Sequence, residues 1–156
     1  MRLIIALALF LGTPAAFAAD RYLDDRSTPD QLIRSLYSAI NLHQYSRAFT
    51  YFSDPPAKDY DTYAKGFEET AHVDVLIGKV SGDGAAGHIY YSIPVAIHAV
   101  DSAKKETYFA GCYVVVQINA DQDPPYIPLQ IKSAKLKPIK KQDYARASLP
   151  KCTDTP

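Results

Sequence analysis

"HVDVLIGKVSGDGAAGHIYYSIPVAIH", residues 72–98, is where the chain changes its period. Val73, Val75 and Ile77 alternate with polar neighbours, and Ile89, Tyr91, Ile93, Val95 and Ile97 repeat the pattern further on. A period of 2 marks strands with one buried face. The opposite face of the second run carries His88, Tyr90, Ser92 and His98, the half-solvated pattern of an antiparallel sheet. Between the runs, "SGDGAAG" (81–87) supplies hairpin turn chemistry. Pro94 cannot donate to a ladder, so it predicts an edge or a bulge.

Upstream the period is helical. Thr28 caps a first helix, with Pro29 suited to its first position and Gln31 completing a T-x-x-Q capping box. Leu32, Ile33, Leu36, Tyr37 and Ile40 form one apolar stripe. A second helix is expected over 44–52, stopped by "SDPP", and a third over 59–70. Downstream come a strand at 106–118, the loop "NADQDPP", and a strand at 126–136. Three helices followed by about four long antiparallel strands predict an α+β fold, the helices packed on one face of a curved, cone-shaped sheet. The domain is expected over 27–139, after a polar leader at 19–26 and before a tail at 140–156.

The first residues predict the compartment. "MRLIIALALFLGTPAAFA" (1–18) holds a basic Arg2, a short apolar run, and Ala16 and Ala18 around Phe17. This is a signal peptide cleaved near Ala18 and Ala19, its apolar run too short to cross a bilayer. No span is expected in the mature chain, which is periplasmic or secreted. Basic and acidic residues both number 17; without Arg2, 16 basic face 17 acidic, a net charge of −1. That balance gives no case for nucleic acid.

Cys112, in the middle of "ETYFAGCYVVVQI" (106–118), could be a nucleophile, a metal ligand or half of a disulfide. Its face-sharing neighbours Tyr108, Ala110, Val114, Val116 and Ile118 include nothing basic to activate a thiol. Two cysteines forty positions apart, with no CxxC or HxxxH, make a poor zinc set. An even count in an oxidising compartment favours a Cys112–Cys152 bridge over two inert thiols. It would staple the tail to the sheet.

The stretch "TPDQLIRSLYSAINLHQYSRAFTYFSD" (28–54) resembles the opening helical pair of the nuclear transport factor 2-like (ketosteroid isomerase, polyketide cyclase) superfamily. Ile40-Asn41 and Phe52-Ser53-Asp54 match its two helix ends. The resemblance implies the cone-shaped fold over roughly residues 27–138, and it leaves activity open because the superfamily hosts enzymes, binders and assembly modules. Ketosteroid isomerases use a first-helix tyrosine, an aspartate base and a protonated aspartic acid on a later strand. Counting back from Asn41 puts the tyrosine position on Leu36, with Tyr37 rotated by about 100°. "PPAKDYDTY" stands where the base would lie, and the 106–118 strand offers no inward carboxylate, so that mechanism is not supported.

Of the remaining candidates, His43 and His72 read as element ends, His88 and His98 as too far apart for one metal, and Asp59 and Asp61 as helix-start charges. Lys132, Lys135, Lys137, Lys140 and Lys141 read as a solvated strand end or as a surface for an anionic partner. Twelve tyrosines, by contrast, can give a cavity apolar walls with hydrogen-bonding tips. Its expected lining is Tyr37, Phe52, Tyr63, Phe67 and Tyr91. The leading reading is therefore an exported, non-catalytic domain, without cofactor or metal, binding a small apolar or amphipathic ligand or an envelope protein. An isomerase or hydro-lyase using the cavity, and a homodimerising assembly module, are the alternatives.

Overall fold

A computed structural model describes residues 20–85, 87–118, 126–147 and 149–152; the expected signal peptide, the "NADQDPP" loop and the last four residues lie outside them. The chain runs α1 (Pro29–Asn41), α2 (Tyr45–Phe49), α3 (Tyr60–Lys65), β1 (Thr70–Ile77), β2 (Ser81–Ala85), β3 (His88–Asp101), β4 (Glu106–Ile118), β5 (Gln130–Pro138) and α4 (Lys141–Ala145). It is an α+β fold on an open antiparallel sheet in the order β1-β3-β4-β5, with β2 also paired to β3.

Helix α1 starts where the sequence places it. The Thr28 hydroxyl accepts from the Gln31 N–H, and Pro29 occupies the first turn, where its missing donor costs nothing. The whole stripe from Leu32 to Ile40 is buried. So is Ser35, on the flank of that stripe, because the leader lies along it. Ser35 Oγ accepts from Asp25 N and donates to Asp25 O, and Ser38 Oγ does the same for Leu23 N and Arg21 O. Two serines thus give the extended leader the partners a neighbouring strand would have given. Arg47 finishes the fastening, donating to Leu23 O while its guanidinium lies 4.4 Å from the Tyr22 ring centroid. At the far end of α1, the Asn41 amide both donates to and accepts from the Val73 backbone, which locks the helix to β1.

Several elements differ from the expectation. Helices α2 and α3 are five and six residues long, shorter than 44–52 and 59–70; the chain after each unwinds into turns closed by short-range bonds such as Phe67 N to Ala64 O. "SGDGA" is not a turn but the strand β2, and just before β3 Gly87 has a φ of 80°. Low strand propensity is overridden there by the edge of β3 and by Tyr91, whose ring covers Gly82 so closely that a Cβ would stand 2.8 Å from it. Strand β5 begins at Gln130, leaving Tyr126 exposed.

Pro94 lies in a central strand, not at an edge. It falls where the flanking partner of β3 changes from β2 to β1, and Gly78 donates across the gap to its carbonyl. The missing donor therefore meets a break in the ladder. The outer face of β3 keeps His88, Tyr90 and His98 half-buried, as expected, and the tail covers part of it. Ile139 N donates to Tyr108 O, Tyr144 packs on His98 and Tyr108, and Leu149 reaches Gly78 and Pro94. The Cys112–Cys152 disulfide ends this strap, with Cα atoms 5.8 Å apart.

Candidate functional site

Helices and sheet do not meet everywhere. Between α3 with its following turn and the inner face of β1, β3, β4 and β5 lies a cavity of about 840 Å³. Helix α1 closes its deep end with Leu36, Tyr37 and Ile40, while Val73, Ile97, Phe109 and Leu136 line the sheet side. The aromatic wall comes from Phe52, Tyr63 and Phe67, with ring centroids 6.1 Å apart for Phe52 and Tyr63 and 5.1 Å for Tyr63 and Phe67. At the mouth, Lys132 Nζ of β5 stands 3.4 Å from Asp54 Oδ2.

Four of the five residues named from sequence (Tyr37, Phe52, Tyr63 and Phe67) line this space. Tyr91 does not. Its hydroxyl donates to Gln117 and its ring covers Gly82, at the far end of β3. Leu36 and Tyr37 both reach the cavity, so the rotation between them does not remove the phenol. Tyr113, which the sequence groups with Tyr37, Tyr63 and Tyr91 as a core aromatic and leaves out of the expected lining, lines the cavity as well. Strand alternation held the signal, since Tyr113 must face opposite to Cys112. The inner face of β4 is thus Thr107, Phe109, Gly111, Tyr113 and Val115, and Cys112 points outward.

The chemistry of the deep end is phenolic. Tyr37 and Tyr113 share a 2.7 Å hydrogen bond between their hydroxyls, and the rings meet edge-on. One proton is consumed in that bond, so the pair keeps one to offer. The Tyr63 hydroxyl is buried and has no partner among the described residues. Burial pushes the Tyr113 phenol up to about 12, tempered by the bond from Tyr37. Burial first, then the neighbouring phenols, raises Tyr37 well above its ordinary value, and Tyr63 shifts the same way for the same reasons. At neutral pH these groups are uncharged donors.

The raised phenol values set the sign of the protein's pH dependence. An acid whose folded pKa exceeds its unfolded one binds more protons in the native state, so its stabilisation is present below pH ~10 and lost as pH rises above it. Thermal unfolding should therefore show a plateau to about pH 10 and a steep fall above it. Phenolate absorbance at 295 nm should rise together with unfolding. Ionisation of every tyrosine before any loss of structure would contradict the buried cluster.

The histidines are elsewhere. His43 bonds the Tyr45 hydroxyl at 2.8 Å; His72 stands 3.3 Å from Asp20 and 3.2 Å from Asp74. His98 stacks on Tyr108 with 4.8 Å between centroids, its Nδ1 3.3 Å from Asp74. Its Nε2 lies 3.5 Å from Glu106 Oε1 without hydrogen-bond geometry. Glu106 is held below the usual carboxylate range by Lys141 first, then by Tyr108. This outer-face cluster joins β1, β3, β4 and α4, and it was hidden from the sequence because only strand register assembles it. Asp59 caps α3 by accepting from Thr62 N, and Asp61 follows in the first turn. Among the described residues no group of three or more His, Cys, Asp or Glu is placed to hold a metal ion, and no helix is long and apolar enough to cross a membrane. No protein-family model matches the chain, and no curated protein matches it.

Proposed function

We propose that the chain is an exported domain of the cone-shaped, nuclear transport factor 2-like kind, which binds a small, largely apolar ligand between helices and sheet. The observation that carries this reading is the Tyr63 hydroxyl, buried in the cavity wall without a partner among the described residues, beside the Tyr37–Tyr113 pair. An unpartnered buried hydroxyl costs about 1–3 kcal/mol, which a ligand oxygen would relieve. Two spare phenolic protons in apolar walls suit an uncharged acceptor such as a carbonyl, ether or hydroxyl oxygen. The only carboxylate of the described lining is Asp54, at the mouth, which favours binding over an isomerase or hydro-lyase. Export is supported by residues 1–18 and by the disulfide.

Nile red, a neutral apolar dye with one carbonyl, tests the site. It should brighten on titration into the protein, and Tyr63→Phe should weaken binding about 3–10-fold, one neutral hydrogen bond. The same variant should unfold no more easily than wild type, since it deletes an unpaired polar group and keeps the ring. Unchanged dye affinity with lowered stability would assign Tyr63 to the core alone.

A further inference from the structure

We propose that Lys132 reads the head group of the ligand, and that the ligand is a single-chain anionic amphiphile: a largely apolar body, with an uncharged oxygen toward the deep phenols, ending in a carboxylate or a comparable acid. This rests on the cavity being the binding site. The described lining holds two charged side chains, Lys132 and Asp54, and both stand at the mouth. The inner walls offer no countercharge, so a charged head entering first would be buried unpaired, at a cost of several kcal/mol. The head stays outside while the body lies along Phe52, Phe67, Phe109 and Leu136.

The choice of an anion follows from the asymmetry of the mouth. Lys132 and Asp54 face each other at 3.4 Å with side chains 42% and 68% exposed. A pair this exposed is worth about 0–1 kcal/mol, so a ligand acid can replace Asp54 at little cost. Lys132 belongs to β5, whose lining residues Lys132, Ser133, Ala134 and Leu136 include no carboxylate, while Lys135 and Lys137 pair with Cys112 and Ala110 on the outer face. Asp54 sits on an irregular segment, is the more exposed of the two, and is followed by Pro55 and Pro56. The strand side of the mouth is one lysine held by the sheet; the acidic side is one more solvated carboxylate on an irregular segment. A volume of about 840 Å³ lies within the range of small-molecule sites.

Displacement of bound Nile red by decanoate, decanol and decyltrimethylammonium holds the apolar body constant and varies only the head. Decanoate should be the most potent on the wild type. The decanoate-to-decanol potency ratio should fall about fivefold in Lys132→Gln, one exposed charge pair. It should rise in Asp54→Asn, which removes the competing carboxylate. A ratio unmoved by Lys132→Gln, or a cation that displaces best, overturns the head-group assignment while leaving the cavity as the site. Nile red that fails to bind the wild type overturns the cavity reading itself, and the assignment with it.

Discussion

Reducing the Cys112–Cys152 disulfide is expected to lower the melting temperature by about 10 °C, through loss of roughly 4 kcal/mol. The bridged residues are 40 positions apart. In the chain-entropy model, opening a loop of that length returns about 4 kcal/mol of freedom to the unfolded chain. The folded side of the balance points the same way. Helix α4 has no buried residue, and without the bridge the strap rests on Tyr144, Leu149, the Ile139 bond and the exposed Lys141–Glu106 pair. Such a pair adds little. Ala96 and Ala110, buried in the rows between these contacts, would meet water as the strap frays. Calorimetry with and without a reductant reads the shift. Thiol titration of the denatured, unreduced protein should find no free thiol; two free thiols, or an unmoved melting temperature, would show that the strap holds without its bridge.

The first helix and the strand periods were legible in the sequence because each is written locally, and the disulfide because two cysteines in an exported chain allow one pairing. The Thr28 cap, the stripe from Leu32 to Ile40, and the alternation on β3 and β4 are dictated by neighbours within a few residues. What escaped depends on pairs distant in the chain. β2 is a strand because β3 offers an edge and Tyr91 covers Gly82. The leader is ordered because Ser35 and Ser38 happen to face it. Of the site, the phenols on α1 and α3 were readable from composition and helical phase. Lys132 was visible only as one lysine in a run, since its place at the mouth depends on the register between β4 and β5. Tyr91 was misplaced for a related reason: its face was read correctly, but its position along β3 carries it past the end of the cavity.

Gly111 makes the dependence on register measurable. It pairs with Leu136 on the inner face of β4, and β5 passes so close that a Cβ would overlap the Lys135 carbonyl oxygen and stand 2.8 Å from Leu136 Cα. The approach follows a register shift between Val114 and Val115, where β5 places an extra residue, Lys132, between the partners Ile131 and Ser133. The obstacle is backbone already bound into a ladder, so no rotamer change can relieve it. Overpacking a core typically costs about 1–3 kcal/mol when side chains can yield. With backbone in the way, Gly111→Ala is expected to cost at least about 3 kcal/mol, and Gly111→Val to leave no cooperatively folded protein. Gly84→Ala is the control: the nearest atom to its Cβ is the His88 oxygen at 4.0 Å, so it should unfold at nearly the wild-type urea midpoint. An unchanged midpoint for Gly111→Ala would mean that β5 does not cross there. The consequence reaches the site, because β5 carries Lys132 and Leu136. A Gly111→Ala protein that still folds should therefore lose dye affinity in proportion to how far its β5 wall has moved from the aromatic one.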